Sequence, residues 1–417
     1  MPNIAVDSTG KIHVAVSDDT CGNYDIYYTT KPYGGTWGSY VNLSYNAGVS
    51  KDPEVAIDIN DGVHIVWWDD TPGNIDIFYT AIPWPPPENT CPSLSQWSAT
   101  SSMNVPRQML AAVAANGWVY AIGGTGSYRS GPPVYASIER AQINPDGSLG
   151  SWQYTTSLNK ERCDLAAIAS NGWIYALGGT YRDPMNGYWY VLNSVERANI
   201  NGDGSLSSWS YTSSMNELRY WPGVIVYNNW IYALGGYNAP GGVPTNLASI
   251  ERVSINPDGS LNAWQPLAQS LPQGMHAFSA LENNGWLYII GGRNNNTSFS
   301  SVYRAPINAD GTFGAWITEP SLNISRDGFG AAIVNGKIYI TGGITVTSST
   351  NWDCVIPTES AVINSDNSLG SWCVETNITV GRDNDTAVSS DGRIYAIGGY
   401  NCDSPTVLNT TESALAQ

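Results

Sequence analysis

The sequence predicts an all-β protein whose main part, residues 93–417, is a six-bladed β-propeller. Three observations support this prediction: Gly-Gly pairs recur at a constant spacing, Tyr and Trp recur in phase with them, and short apolar runs end at turn residues without helical periodicity. The 417 residues include 43 Gly, 17 Trp and 25 Tyr, and 13% are charged. A hydrophobic content of 42% suffices for a large core, so a disordered chain is not expected.

The repeat is defined by three residue types that keep the same order. Six Gly-Gly pairs each close an apolar run: Gly123-Gly124, Gly178-Gly179, Gly235-Gly236, Gly291-Gly292, Gly342-Gly343 and Gly398-Gly399. A Tyr precedes each pair: Tyr120, Tyr175, Tyr232, Tyr288, Tyr339 and Tyr395. Six Trp recur as well: Trp97, Trp152, Trp209, Trp264, Trp316 and Trp372. Both the Gly-Gly and the Trp series advance by 51–57 residues, so one unit occurs six times.

Each unit is interpreted as four short strands, a to d. In the first unit, strand a begins at Leu110, and the Asn116-Gly117 turn leads to strand b. A long variable loop precedes strand c, which begins at Ala136, and the Asp146-Gly147 turn leads to strand d. Four antiparallel strands per repeat predict a propeller blade.

The Gly-Gly pair that closes strand b, the Tyr before it, the Trp of strand d and an Arg that leads into strand a together resemble the kelch repeat. The resemblance covers about 325 residues, in six repeats that stay in phase. It implies a closed ring of blades. The last repeat has no strand d of its own, so we expect strand 93–103 to complete that blade. A single eight-bladed ring is the alternative, and the Pro-rich segment 83–92, interpreted as a linker, argues against it.

Residues 1–82 contain a different repeat. Two segments that begin near Ile4 and Val55 align closely, and they resemble the sialidase-like, Asp-box-related propeller repeats of bacterial or archaeal surface proteins, without the full Asp-box. Two blades cannot close a ring, so their exposed edges predict self-association. Because Met1 falls where a repeat is already under way, we expect a trimmed or mature fragment.

The net charge of −17 limits the classes of partner. Binding of nucleic acid or of anionic lipid needs a basic surface, so neither is expected. No apolar stretch approaches about 18 residues, so membrane insertion is not expected either. No cofactor is expected except Ca²⁺, which acidic turns such as those of Asp69, Asp70 and Asp203 could hold; hairpin chemistry also explains the Asp-Gly turns.

The b–c and d–a loops of such a propeller emerge on one face, and here the b–c loops are long and differ from one another. Variable loops on a rigid scaffold commonly carry function. The predicted ligand-binding residues of this face are Tyr128, Arg129, Tyr181, Arg182, Tyr188, Trp189, Tyr190, Tyr220, Trp221, Tyr237, Arg293, Trp352 and Tyr400. Such residues suit sugar rings and hydroxyls, and equally a protein partner. The alternative is that they pack the loops on one another.

Five d–a loops carry Arg at one equivalent position, where the fourth repeat has Met275: Arg107, Arg162, Arg219, Arg326 and Arg382. These arginines form either an anion-binding ring or, as we favour, repeated structural contacts between blades. The Glu139-Arg140, Glu196-Arg197 and Glu251-Arg252 pairs of strand c are interpreted as inter-blade ion pairs. Among six cysteines, Cys354 and Cys402 lie in consecutive b–c loops and are predicted to form a disulfide.

The sequence favours a non-catalytic recognition or assembly module, extracellular or on the cell surface, which binds a glycan or a surface protein through the b–c loops. A sugar-processing enzyme of the sialate-mutarotase type, which the kelch resemblance allows, is the alternative. A structural subunit of a surface layer or filament is a third. A kelch-type copper oxidase is not expected, because only His13, His64 and His276 occur and one lies in the ring. No acid–base pair stands out.

Overall fold

The computed structural model describes residues 2–8, 10–18, 24–31, 37, 41–44, 49–58, 63–70, 76–82, 94–127, 133–238, 245–295, 297–348, 351–402 and 404–416. The chain divides into two compact units, Met1–Thr90 and Cys91–Gln417. All regular elements among the described residues are β-strands. Within those ranges there is no helix with the length and apolarity needed to cross a membrane.

The described part of the first unit contains two antiparallel sheets, one for each of its sequence repeats. The first sheet has the order β1-β2-β3-β4 and the second β5-β6-β7. The strands are β1 (Asn3–Val6), β2 (Ile12–Asp18), β3 (Asp25–Lys31), β4 (Val41–Asn42), β5 (Ser50–Ile57), β6 (Val63–Asp69) and β7 (Asp76–Ile82). Ala15, Ile26, Ile65 and Trp67 form the centre of a small shared core. Within this core His13 bonds to Asp7 and to the Tyr28 hydroxyl.

The second unit contains six main sheets in its described part. Sheet 1 consists of β9 (Ala111–Ala115), β10 (Trp118–Ile122), β11 (Ile138–Gln142) and β12 (Gln153–Thr155). Sheet 2 consists of β13 (Ala166–Ser170), β14 (Trp173–Leu177), β17 (Val195–Asn199) and β18 (Ser210–Thr212). Sheet 3 consists of β19 (Gly223–Tyr227), β20 (Trp230–Leu234), β23 (Ile250–Ser254) and β24 (Gln265–Pro266).

Sheet 4 consists of β25 (Ser279–Asn283), β26 (Trp286–Ile290), β27 (Val302–Pro306) and β28 (Ile317–Glu319). Sheet 5 consists of β29 (Asp327–Val334), β30 (Lys337–Ser348), β32 (Pro357–Val362) and β33 (Cys373–Asn377), with β31 (Asn351–Cys354) beside β30. Sheet 6 consists of β34 (Thr386–Ser390), β35 (Arg393–Ile397), β38 (Thr411–Leu415) and β8 (Ser98–Thr100). Three b–c loops form two-stranded hairpins: β15 (Thr180–Arg182) with β16 (Trp189–Val191), β21 (Tyr237–Asn238) with β22 (Thr245–Asn246), and β36 (Tyr400–Asn401) with β37 (Thr406–Val407).

The first strands of the six sheets contact one another in a closed series, in which β34 of sheet 6 returns to β9 of sheet 1. Sheet 6 takes its outer strand from the beginning of the unit, since Thr411 pairs with Thr100 and Ser413 with Ser98. This is the pairing that the sequence predicts for strand 93–103, and it covers an edge that would otherwise be exposed.

Apolar cores lie between neighbouring sheets, and the repeated Tyr and Trp fasten these interfaces. Trp152 donates an indole hydrogen bond of 2.7 Å to the carbonyl of Ser101, in the segment leading out of sheet 6. Tyr120 donates one of 2.8 Å to the carbonyl of Gly204, in the c–d turn of sheet 2. The repeated residues of the sequence are therefore structural, which leaves the residues that differ between repeats as functional candidates.

Candidate functional site

The five repeated arginines do not form an accessible anion-binding ring. All five side chains are fully buried. Each is ion-paired with a Glu of strand c at an N–O distance of 2.5 to 3.1 Å: Arg107–Glu139, Arg162–Glu196, Arg219–Glu251, Arg326–Glu359 and Arg382–Glu412. Each also donates to the carbonyl of the first glycine of a Gly-Gly pair, as Arg107 does to Gly123 at 2.8 Å. Full burial and pairing with Glu favour the structural interpretation of these residues.

The fourth repeat lacks this ion pair because both of its members differ. Met275 replaces the Arg, and Tyr303 stands in β27 at the position that Glu139 has in β11. A buried charge without its partner is strongly destabilising, so the two differences compensate one another. Met275 is fully buried in the neighbouring apolar core.

The Glu and Arg of each strand-c pair do not bond to each other, but Arg140 does form an ion pair between sheets, with Asp203 at 4.0 Å. Glu139 faces Arg107, whereas Arg140 lies 4.4 Å from the ring centre of Trp118 and donates to the carbonyl of Asp203 in the next sheet. Successive strand residues point to opposite faces, so adjacent Glu and Arg serve different contacts. Only the Arg spans two sheets by this contact.

The mouth of the ring is formed by the residues two positions after each repeated Arg, or after Met275: Met109, Asp164, Trp221, Ala277, Gly328 and Asn384. Their backbones form a closed cycle in which each amide donates to the preceding carbonyl at 2.8 to 3.4 Å. All six have positive φ, between 49° and 63°. Left-handed backbone is unfavourable for Trp221 and Met109, and strained positions of this kind are frequent at functional sites.

One sector of the mouth is aromatic and contains four predicted site residues. Trp221 stacks on His276 with ring centres 5.5 Å apart, and Tyr220 packs on both Trp221 and Tyr237. Arg293 donates from Nε to Nε2 of His276 at 3.0 Å. Burial, together with the nearby Arg293 charge, lowers the pKa of His276 to about 3, so this imidazole is a neutral packing residue.

The adjoining sector is acidic, and sequence reasoning missed it. Burial raises the pKa of Asp327 to about 6 and that of Asp385 to about 8. The pKa of Asp383 is raised well above its usual value, first by burial and then by the Asp327 charge. Asp164, in the d–a loop that enters sheet 2, is also buried, which raises its pKa to about 6. Comparison of the repeats could have revealed this acidic sector, because the other five repeats carry an apolar residue at the position of Asp385.

A second group of predicted residues lies on the hairpin formed by β15 and β16, hereafter the aromatic hairpin (residues 180–191). Tyr181 stacks on Tyr190 at 5.4 Å, and Lys160 lies 3.6 Å from the Tyr181 ring centre. Tyr188 is 69% exposed, Trp189 38% and Tyr190 40%. The hairpin tip adds Met185, which is 95% exposed and was not predicted. Arg182 is half-buried and bonds to the Gly187 carbonyl, so it stabilises the hairpin.

Some predicted residues are not available as a site. Tyr400 is only 6% exposed, which argues against its assignment as a ligand contact. Tyr128, Arg129 and the side chain of Trp352 lie outside the described residues. The structure contains the Cys354–Cys402 disulfide, with a Cα–Cα distance of 5.8 Å, and Cys373 is also disulfide-bonded.

The acidic c–d turns are satisfied by their own chain. Asp203 accepts hydrogen bonds from the Ser205 amide at 2.8 Å and the Ser205 hydroxyl at 2.6 Å. Ser50 donates to Asp69 in the first unit. Over the described ranges, no three His, Cys, Asp or Glu side chains converge as a metal site would require.

Comparisons with known proteins agree with this architecture. Beta-scruin of Limulus polyphemus is 25% identical over 285 residues, which are 67% of this chain and 30% of that protein. Kelch repeat and BTB domain-containing protein 1 of camelpox virus is 27% identical over 256 residues, 61% of this chain and 41% of that protein. The chain thus spans well under half the length of these relatives. No protein-family model matches.

A solved structure titled "Structure of YjhT" superposes with a TM-score of 0.60 at 15% identity, covering 75% of this chain and 95% of that one. This likeness confirms the all-β propeller fold. The kelch-repeat relatives support the kelch resemblance of the second unit. The likeness of residues 1–82 to sialidase-type repeats stays a prediction.

Proposed function

We propose that this protein is a non-catalytic recognition module that binds a protein partner through the aromatic hairpin of its loop face. The observation that carries the proposal is the cluster of exposed large side chains at the hairpin, Met185, Tyr188, Trp189 and Tyr190. Exposed aromatic and Met side chains are costly in water and are enriched in the cores of protein interfaces. The similarity to kelch-repeat proteins fits this reading.

The hairpin is suited to present these side chains. Tyr181 and Tyr190 stack across it, and the Asn186 amide donates to the Tyr190 hydroxyl at 3.0 Å. Rigid aromatic anchors lose little conformational entropy on binding, so preorganisation of this kind favours affinity. A glycan is the alternative ligand, because the same rings can pack on sugar faces.

We place the protein outside the cytoplasm, in secreted or surface-displayed form. The Cys354–Cys402 bridge and the disulfide-bonded Cys373 support this location, since disulfides persist in oxidising compartments. Adhesion, or a structural role in a surface layer joined through self-association of the first unit, belongs to the same proposal. Exposed Ile4, Val6 and Ile77 in that unit favour such contacts.

The test compares ligand selection by three forms of the protein. Wild type is screened against a displayed peptide library and, with and without Ca²⁺, against a glycan array. The variant W189A/Y190A removes two hairpin rings, and the control Y154A/Y211A removes two rings from the outer strands that are even more exposed. We expect peptide ligands that the hairpin variant loses and the control retains. If the hairpin variant still binds the selected peptides, the aromatic hairpin is not the binding site. If binding depends on the hairpin but occurs only with glycans, the ligand is a glycan and not a protein.

A second candidate function is supported by the acidic sector of the mouth. Carboxyl groups with separated pKa values, such as Asp385 and Asp327, suit general acid and general base roles in sugar mutarotation. Proton-exchange NMR of sialic acid anomers with and without the protein tests this activity. A rate equal to the uncatalysed one eliminates it.

A further inference from the structure

We propose that the cavity at the mouth of the ring binds a compact organic cation, an alkylammonium or guanidinium group, on its carboxyl-bearing side. The cavity has a volume of about 290 Å³, which suits a single side chain or a small amine. Its polar lining residues include Asp164, Asn384 and Asp385, and Trp221, Leu110 and Phe278 contribute to its apolar wall. This site is separate from the aromatic hairpin and does not depend on the function proposed for it.

Asp385 stands where the repeat otherwise has an apolar residue. The equivalent residues are Leu110, Leu165, Pro222, Phe278 and Phe329. Asp385 is 7% exposed, and neither of its oxygens accepts a hydrogen bond of normal geometry, although two nearby backbone amides favour its charged form weakly. An unsatisfied buried carboxyl costs stability, and such violations of a local rule are expected at functional sites.

Two further acceptors without partners belong to the d–a loops that enter sheets 2 and 6. Oδ1 of Asp164 and Oδ1 of Asp383 are buried and accept no hydrogen bond. Asp383 lies against Gly328, where a β-carbon would come 2.8 Å from its Oδ1. Asp385 and Asp164 both line the cavity, so it offers carboxyl oxygens that no described donor satisfies.

The arginine side chains near the cavity already form ion pairs with other carboxylates. Arg382 is bonded to Glu412, and Arg326 to Glu359. Arg293 lies 3.7 Å from Asp327. A ligand that supplies positive charge together with hydrogen-bond donors would satisfy the remaining carboxylates.

The composition of the walls favours an organic cation over a metal ion. Ca²⁺ takes six to eight oxygen ligands, and within the described ranges no three metal-binding side chains converge. The apolar wall would instead receive the hydrocarbon part of an amine. Trp221 also lines the cavity, and aromatic rings attract organic cations.

The experiment measures binding of cadaverine and agmatine to the intact chain by isothermal titration calorimetry. The neutral isostere 1,5-pentanediol separates charge from shape, and calcium chloride tests the metal alternative. D385N keeps the shape of the side chain but can no longer become negatively charged when a cation binds. The control D391N removes an exposed carboxylate from an a–b turn in which the other repeats carry Asn. Thermal melts establish that both variants fold.

We expect cadaverine or agmatine to bind wild type and D391N alike, with affinity at least tenfold weaker in D385N, and pentanediol not to bind. Failure of both amines to bind, equal affinity in D385N, equal affinity for pentanediol, or saturable binding of Ca²⁺ alone would each overturn the proposal. The capped peptide acetyl-Gly-Lys-Gly-amide distinguishes the source of the cation. If the peptide binds at least as tightly as cadaverine, the natural ligand is a cationic side chain of a partner protein. If the peptide binds more weakly, the natural ligand is a free amine. Both results support binding of an organic cation.

Discussion

The hydroxyl of Tyr395 donates a 2.9 Å hydrogen bond to the carbonyl of Gly147, which joins sheet 6 to the c–d turn of sheet 1. Equivalent bonds link the earlier sheets, such as that from Tyr175 to Gly259 at 2.8 Å. Y395F removes this hydrogen bond, which joins the last sheet to the first, and leaves the buried carbonyl of Gly147 without its hydroxyl donor. We expect a loss of about 1 kcal/mol in the free energy of unfolding, measured by urea denaturation.

Tyr339 provides the matched control. It is the equivalent residue of sheet 5, but its buried hydroxyl has no partner. The reason is topological, since the c–d position of sheet 6 lies between β38 and β8 and is not a continuous turn. Y339F should therefore be neutral or slightly stabilising. Equal losses for Y395F and Y339F would show that the closing bond contributes nothing.

The compensating pair of the fourth repeat predicts the result of a double-mutant cycle in the second. R162M alone leaves Glu196 buried without its cation and should cost about 3–5 kcal/mol of unfolding free energy. Adding E196Y reproduces the Met275 and Tyr303 combination, so the double variant should lose clearly less than the sum of the two single variants. Denaturant titrations of the four proteins measure the coupling. Additive losses would contradict compensation.

Replacement of Asp385 by Leu, which the first two repeats carry at this position, should stabilise the ring in a pH-dependent manner. The pKa of Asp385 is raised to about 8, chiefly by burial and against the effect of Arg382, itself bonded to Glu412. The folded protein thus retains a proton that the unfolded chain releases, and stability falls as pH rises from about 4 to about 8. D385L abolishes this loss and should gain up to about 4 kcal/mol at pH 7.

The measurement is the unfolding free energy of wild type, D385L and D391N at pH 4, 6 and 8. The gain of D385L should grow with pH. The exposed control D391N should show no such growth. A gain of D385L that is constant across pH would mean that the Asp385 carboxyl is neutralised by a partner within the folded chain.

The Cys354–Cys402 bridge should add stability under oxidising conditions. The two residues are 48 apart in sequence, and closing a loop of that length in the unfolded chain is worth about 4 kcal/mol on the chain-entropy view. C354A/C402A should melt at a lower temperature than wild type in calorimetry. A reductant should then lower its melting temperature by less than that of wild type. Equal melting temperatures would show that the bridge does not constrain folding.

The sequence predicted the fold because its signals are local and repeated. The Asn-Gly turns and the phase of the Gly-Gly, Tyr and Trp series defined strands and sheets, and the displaced Trp97 indicated which segment completes sheet 6. The site was predicted only in part. The sequence correctly grouped four residues that lie together: Tyr220, Trp221, Tyr237 and Arg293. It did not predict that Tyr400 is buried, because the position of a residue in the chain indicates its loop but not the direction of its side chain.

The repeat, its strand order and the all-β propeller fold follow from the sequence alone, since each depends on spacing along the chain. Tertiary structure alone decided which charges are satisfied. Arg162 and Glu196 lie 34 residues apart and meet only after strands b and c have paired. Asp385 has the same chemistry as the exposed Asp391, and only packing between neighbouring sheets separates a costly buried carboxyl from an ordinary turn residue.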